Sequence, residues 1–147
     1  MKNLVLFDLD GTLANCEHRL HHITKEPKDW RSFFADCGGD KIIPHVAAMF
    51  HLIQRNPNYE VWIVSGRSDE CKVQTEKWLL DHHLRPDKMI MRKEGDFTDD
   101  DLLKASWVLN GDIPKDRVLL VFDDRTRVVK AWRKLGLPCF QVAEGEF

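Results

Sequence analysis

The segment 4–12, Leu4-Val5-Leu6-Phe7-Asp8-Leu9-Asp10-Gly11-Thr12, constrains this chain more than any other. Four consecutive apolar residues suit a parallel strand buried on both faces. The run then stops at two carboxylates, a glycine and a hydroxyl. Asp8 and Asp10 lie two residues apart, so in extended chain their side chains leave the same side. Gly11 permits a sharp turn and a close approach of backbone to a ligand, and Thr12 sets a hydroxyl beside it. Polar groups at the carboxyl end of a parallel strand lie where open α/β sheets bind ligands. An Asp-Gly turn is common in its own right, so the segment gains meaning only if other strands end alike.

Two of them do. A strand expected over 59–64 ends in Ser65-Gly66-Arg67, and one over 117–122 ends in Asp123-Asp124-Arg125. Shorter strands are expected over 88–91 and 139–142. Between them lie helical patterns. Pro44 opens a helix over 44–55, with Val46, Met49, Phe50 and Ile53 as its buried stripe, and Asn56-Pro57-Asn58 stops it. A second helix runs over 69–82, with Cys71, Val73, Trp78 and Leu79 at its apolar positions. Thr98 or Asp99 caps a third that ends at Asn110-Gly111. A fourth over 127–135 closes at Gly136. Strands alternating with helices imply an α/β fold whose central parallel sheet is joined by right-handed crossovers. No internal repeat, low-complexity tract or linker interrupts the chain.

The stretch 17–40 is different, being polar and irregular, with Arg19, Pro27 and Gly38-Gly39. Within it 29–34 suits a short helix that Asp29 can cap. Trp30, Phe33 and Phe34 share its apolar side. Packing onto the main body is the first reading of these aromatics; stacking a base at the mouth of a cleft ranks behind it.

At 147 residues there is room for one domain with a real core and little for a second. The net charge is −2 with no dense basic run, which gives no support for strong non-specific binding to nucleic acid. Any such substrate must be held by a few placed cations. Cys16, Cys37, Cys71 and Cys139 form no C-x-x-C pair and no secretory signal precedes them, so they read as reduced thiols of a cytoplasmic protein. Adjacent histidines such as His21-His22 and His82-His83 do not face together on a helix or strand, so they read as exposed rings rather than metal ligands. No stretch reaches membrane-spanning length.

The three polar strand ends can converge in one crevice. Hard divalent cations take oxygen ligands, and Mg²⁺ prefers one or two carboxylates with waters and phosphate oxygens. Asp8 with Asp123 or Asp124 supplies them. A carboxylate beside a metal-bound phosphate can also act as a nucleophile, provided cations offset its repulsion from the dianion. Lys104 and Arg67 are candidates, with Ser65, Thr12 and backbone amides after Asp8 as donors to phosphoryl oxygens. Asp10 is placed to protonate a leaving alkoxide and then activate water. Asp100 and Lys104, four apart on a helix, can pair.

Asp8-Leu-Asp10-Gly11-Thr12, Ser65 after its strand, Lys104 and Asp123-Asp124 together resemble the four-motif signature of the haloacid dehalogenase (HAD) superfamily of phosphotransferases. Val-Ser-Gly-Arg at 64–67, the stretch from Arg92, Asp-Asp-Arg-Thr-Arg-Val-Val at 123–129 and the carboxyl end from Trp132 further resemble the phosphatase half of T-even phage polynucleotide kinase–phosphatases. The segment 17–57 matches weakly. The resemblance implies a HAD-like, Rossmannoid three-layer sandwich in one domain, 1–147, with a small cap insertion at about 15–43. It also implies a Mg²⁺-dependent phosphatase that repairs nucleic-acid ends, removing 3′-phosphates from those ends or from nucleotides through an aspartyl-phosphate. By position, Asp8 would be the nucleophile and Asp10 the general acid/base. Arg19 and Arg67 would contact substrate, as would the Gly11-Thr12 and Ser65-Gly66 turns. Asp100 would support Lys104, and the metal would sit among Asp8, Asp10, Asp123 and Asp124.

No P-loop G-x-x-x-x-G-K-[ST] occurs in these residues, so no kinase activity is expected of them. Two readings compete with a 3′-phosphatase: a small-molecule phosphatase or 5′-nucleotidase, and a non-catalytic binding module. The intact acidic set speaks against the module. The insertion between the first two motifs, about forty residues, makes only a small cap, which leaves a crevice open to a polymer end. Homo-oligomerisation stays open.

Overall fold

The computed structural model describes all residues, Met1–Phe147. The first strand, β1 (Asn3–Phe7), leads into a tight turn and the two-residue β2 (Ala14–Asn15). A 3₁₀ turn at Glu17–His22, α1 (Trp30–Ala35) and a second 3₁₀ turn at Asp36–Gly39 follow, before β3 (Lys41–Ile42). The chain continues through α2 (Pro44–Gln54), β4 (Tyr59–Ser68), α3 (Lys72–Asp81) and β5 (Lys88–Arg92). It ends with α4 (Asp100–Leu109), β6 (Val118–Asp123), α5 (Thr126–Lys134) and β7 (Cys139–Gln141).

Five strands form one parallel sheet in the order β5-β4-β1-β6-β7. The apolar run of β1 therefore takes the centre, and its residues alternate between two cores. Leu4 and Leu6 face one layer with Leu103, Trp107, Val128 and Trp132, from α4 and α5. Val5 and Phe7 face the other with Val46, Phe50, Trp78 and Leu79, from α2 and α3. Leu4, Val5, Leu6 and Phe7 are all fully buried or nearly so. Covering a parallel sheet on both faces in this way makes the three-layer α/β architecture expected from the sequence.

Two helical stripes differ from expectation. Met49 is 41% exposed and Ile53 only partly buried; the inner face of α2 is Val46, Ala47 and Phe50. Val73 is 79% exposed, and Thr75 is buried in its place beside Trp78 and Leu79. The cause is spacing: Cys71, Thr75, Trp78 and Leu79 follow the i, i+4, i+7, i+8 stripe of one helical face, and Val73, two residues after Cys71, falls on the opposite side. Likewise β4 runs on to Ser68, with its pairing to β5 shifting between Ser65 and Ser68.

The 16–40 segment is closed at its base by antiparallel pairing of β2 with β3. Asp29 caps α1 as expected, accepting from Ser32 N at 3.0 Å. The segment lies over α3: Trp78 Nε1 donates to Asp40 O at 2.7 Å, and Cys37 is fully buried beside Thr75. No helix is long and apolar enough to cross a membrane.

Candidate active site

Parallel pairing brings the carboxyl ends of β4, β1 and β6 side by side, so the polar groups that follow them meet. Asp8 sits at the centre, 5% exposed. Lys104 Nζ donates to its Oδ1 at 2.8 Å, and Thr12 Oγ1 lies 3.2 Å from its Oδ2 and equally far from Asp124 Oδ1. Gly11 makes this closeness feasible. Its φ is +82°, and a Cβ there would collide with the Asp124 carboxylate.

Lys104 enters from α4, 1% exposed, and also reaches Asp123 Oδ2 at 3.1 Å and Asp100 Oδ2 at 3.6 Å. The expected Asp100–Lys104 pair thus forms, but as part of a buried cluster rather than on a surface. Burial alone would lower the lysine pKa; Asp100, Asp123 and Asp8 outweigh it and hold the pKa well above the usual value. Gly66 is what lets Asp100 approach, since a Cβ at Gly66 would overlap its carboxylate.

Asp123 and Asp124 are adjacent but differently engaged. Asp123 Oδ2 accepts from Lys104 and from Trp132 Nε1, each at 3.1 Å, while Oδ1 accepts from Asp124 N at 2.8 Å and Arg125 N at 3.4 Å. Both of its oxygens are taken. Asp124 has Thr12 as its side-chain donor and keeps lone pairs free.

Oxygens of Asp8, Asp123 and Asp124 lie within 4.8 Å of one another, all in buried residues. With Asp100 that makes four carboxylates around one ammonium. Burial first, then Asp123 and Asp124, pushes the Asp8 pKa well above the usual carboxylate range against the pull of Lys104. Burial and Asp123 raise Asp124 likewise. A buried excess of hard oxygen donors fits a divalent cation, and Asp8 and Asp124 have the free lone pairs to hold one.

A second cluster adjoins the first. Asp10 Oδ1 accepts from Arg19 Nη2 at 2.6 Å and from Arg67 Nη2. Burial would raise the Asp10 pKa, but the Arg67 and Arg19 guanidiniums reverse this and hold it below the usual range. Its carboxylate is turned to the two arginines and is not among the three clustered carboxylates. Arg19 is fully buried, over the Phe33 ring at 4.3 Å and bonded to Phe33 O at 3.0 Å. Arg67 Nη1 donates to Thr75 Oγ1 at 2.9 Å. Ser65, 1% exposed, accepts from Arg67 N at 3.1 Å, which leaves its hydroxyl proton to donate.

The candidate catalytic, phosphate-binding and metal residues named from the sequence all lie at this crevice, and several are present that the sequence did not reveal. Asp40 is one: buried at 4%, it takes Arg19 Nε at 2.8 Å, Arg19 Nη2 at 2.7 Å and Arg67 Nη2 at 3.1 Å. Two buried guanidiniums with only Asp10 as counter-charge were the available signal that another carboxylate was needed. Thr75 and Trp132 are further additions. Arg92 is a last one, tying Gly66 O at 2.7 Å to Thr98 O at 2.6 Å and Asp96 O at 3.1 Å.

Comparison with known proteins agrees with this geometry. The family described as the polynucleotide kinase PNKP phosphatase domain matches residues 2–147. A protein of Autographa californica nuclear polyhedrosis virus described as a bifunctional polynucleotide kinase/RNA ligase is 30% identical over 135 residues, 91% of this chain and 18% of its own length. A chain in the structure of the Pnkp1/Rnl/Hen1 RNA repair complex is 30% identical with a TM-score of 0.81, covering 99% of this chain and 44% of that one. The chain thus spans less than half of either relative. A haloacid dehalogenase-like hydrolase from Streptococcus pneumoniae, 14% identical, shares the fold at a TM-score of 0.65 over 95% of this chain and 84% of its own.

Proposed function

The chain belongs to the polynucleotide kinase phosphatase-domain family, and on that premise we propose that it is a Mg²⁺-dependent 3′-phosphatase of nucleic-acid ends or nucleotides. It would act as one domain whose cap is the insertion at about 15–43. The observation that carries the reading is the position of Asp8. Its carboxylate is held by Lys104 on one oxygen and Thr12 on the other, against Asp124, two residues before a clamped Asp10.

Asp8 is the nucleophile, its Oδ attacking phosphorus to form an aspartyl-phosphate and release the sugar 3′-hydroxyl. Lys104 fixes its orientation and balances charge as phosphate approaches. Asp8 and Asp124 would hold the cation, with Asp123, both oxygens occupied, fixing Lys104 and the Asp124 backbone. A bound Mg²⁺ supplies Lewis-acid polarisation of a phosphoryl oxygen and offsets the excess negative charge. Ser65 Oγ and the amides after Asp8 donate to the remaining phosphoryl oxygens.

Asp10 is the acid/base. With two guanidiniums on it, Asp10 rests ionised, which suits the step in which it takes a proton from attacking water. To donate a proton first, it must lose part of that stabilisation. A substrate phosphate that draws Arg19 and Arg67 toward itself would do so, coupling protonation of Asp10 to substrate binding.

The four cysteines are free thiols, which suits a cytoplasmic setting. The test is phosphate release with Mg²⁺ from a 3′-phosphorylated oligonucleotide, its 5′-phosphorylated twin and a nucleoside 3′-monophosphate, with Asp8→Asn as control. Release from the 3′ substrates alone, abolished in the variant, is the expected result. Equal turnover of the 5′ substrate would replace it with a general nucleotidase, and no release from any would leave a binding module.

A further inference from the structure

Helix α1 buries Phe33 to 5% exposure and anchors it beneath the Arg19 guanidinium. Trp30 on the same helix is not accounted for by that packing. Trp30 remains 41% exposed. The indole is nevertheless fixed, lying face to face with Phe34 at 5.9 Å and 29° and edge-on to Phe33 at 5.7 Å and 88°. A large apolar ring left in water and braced by two neighbours is a preorganised stacking surface, since little side-chain freedom remains to be lost on contact.

The segment around it is of mixed charge, with Lys25, Lys28 and Arg31 interleaved with Glu26, Asp29 and Asp36. Lys25, Lys28 and Arg31 are exposed, and none makes an ion pair. The nearby acids are mostly engaged: Asp29 caps α1, and Asp36 pairs with His22 at 2.6 Å. Glu26 is the one exposed acid of this surface left without a partner. What sets the cations apart is that none is paired, while two of the three acids already hold hydrogen-bond partners.

The platform is tied to the crevice through packed side chains. Trp30 touches Phe33, Phe33 lies 4.3 Å below Arg19, and Arg19 Nη2 is 2.6 Å from Asp10 Oδ1. An aromatic platform flanked by unpaired cations is the pattern with which proteins hold single-stranded nucleic acid.

We propose that this outer face is a single-strand subsite, where Trp30 backed by Phe34 stacks the base of a nucleotide upstream of the 3′-phosphate. Lys25, Lys28 and Arg31 meet the phosphates that flank it. The proposal rests on the 3′-end reading above and deepens it, because it makes a strand rather than a mononucleotide the preferred substrate. A mononucleotide has no upstream base to stack and no flanking phosphate to neutralise.

The test compares the whole protein with Trp30→Ala, Trp30→Phe and the double variant Lys28→Glu/Arg31→Glu. Kinetics use a short 3′-phosphorylated strand, as DNA and as RNA, beside a nucleoside 3′-monophosphate. Binding of the 3′-hydroxyl strand is followed by fluorescence anisotropy across a salt series. Trp30→Ala is expected to raise the strand KM about tenfold at unchanged kcat, the size of one stacked base, and to leave the mononucleotide untouched. Trp30→Phe keeps most of the affinity. The charge reversal flattens the dependence of log K on log salt by about 1.4, from two lost contacts to a single strand.

Equal losses on strand and mononucleotide, or strand binding indifferent to Trp30 and to the charge reversal, would overturn the subsite. The two readings fail separately. A wild-type protein that releases no 3′-phosphate yet binds the strand through Trp30 refutes the 3′-phosphatase and keeps the subsite. One that releases 3′-phosphate with Trp30→Ala unaffected does the reverse.

Discussion

Arg19 and Asp40 form a buried bidentate pair: Nε meets Oδ1 at 2.8 Å and Nη2 meets Oδ2 at 2.7 Å, with both side chains excluded from solvent. The same Nη2 reaches Asp10, and Arg67 bridges Asp10 and Asp40 in parallel. Two cations and two anions therefore lock 16–40 to the end of β4 and to the turn after β1. Charge balances only while all four are present.

Asp40→Asn leaves two buried guanidiniums against one carboxylate. Breaking a buried pair by removing one charge costs about 3–5 kcal/mol, so the melting temperature should fall clearly. Arg19 and Arg67 would also lose their fixed orientation. Displacement of positioning groups by about 1 Å costs about a hundredfold in rate, which is the loss expected in phosphate release. Calorimetry and steady-state kinetics check the two effects, and wild-type-like values in both would contradict the clamp.

Asp40 also marks the limit of what the sequence shows. Asp8, Asp10, Ser65, Asp123 and Asp124 are legible because each follows its own apolar strand within a few residues, and parallel pairing then brings strand ends together. Lys104 is legible from the residues only as a candidate cation four positions from Asp100 on an ordinary amphipathic helix, and the resemblance to a known motif is what singles it out. Asp40 lies 21 residues from Arg19 and 27 from Arg67, in a stretch without periodicity. Trp132 sits at core spacing on α5, so its Nε1 bond to Asp123 is hidden behind a plain packing role. Local patterns thus predict which elements form and where strands end. They do not predict which side chain from a distant loop neutralises a buried charge.

The crowding of carboxylates around Asp8 has a consequence for stability. The Asp8 pKa is raised in the fold, so the folded state holds a proton that the unfolded chain has lost. By linkage, stability of the metal-free protein then falls as pH rises from the ordinary carboxylate range through the raised value. Asp10 acts in the opposite sense: its pKa is lowered, and its contribution is lost as pH falls through that lowered value. Asp8→Asn removes the repulsion, so the chelator-treated variant should melt higher than wild type at neutral pH. Mg²⁺ should raise the wild-type melting temperature in proportion to occupancy and the variant's by less. A variant that melts lower without metal would count against crowding at Asp8.

Gly11 and Gly111 separate two costs of a positive φ. Both are left-handed, at +82° and +88°, and alanine in that conformation costs about 1–2 kcal/mol. Gly111 faces open space, so Gly111→Ala should lose stability of that order and keep its activity. Gly11→Ala adds a Cβ where the Asp124 carboxylate stands. It should lose more stability and raise the Mg²⁺ concentration for half-maximal activity, because Asp124 must move to admit the methyl. Matching losses in the two variants would show that Asp124 yields freely.

Asp124 is held from the opposite side by the carboxyl-terminal residues. Gln141 Nε2 donates to Asp124 O at 3.0 Å, Thr126 N donates to Gly145 O at 2.8 Å, and Arg125 Nε donates to Phe147 O at 2.7 Å. Gly145 presses so closely on this loop that a Cβ would overlap the Asp124 carbonyl and the Arg125 Cα. Backbone cannot step aside as a flexible side chain does. Gly145→Val should therefore push the 124–126 backbone and, with it, the carboxylate proposed to hold the cation. The expected signature is a Mg²⁺ requirement raised about tenfold with a smaller change in kcat at saturating metal, whereas a purely global destabilisation would lower the melting temperature and leave the metal requirement of the folded fraction unchanged. Gln141→Ala removes one bond to the Asp124 carbonyl without adding bulk, worth about 1 kcal/mol, and should shift the Mg²⁺ requirement in the same direction by less. Titrating Mg²⁺ against initial rate in the three proteins orders them, wild type below Gln141→Ala below Gly145→Val, if the terminal residues act through Asp124.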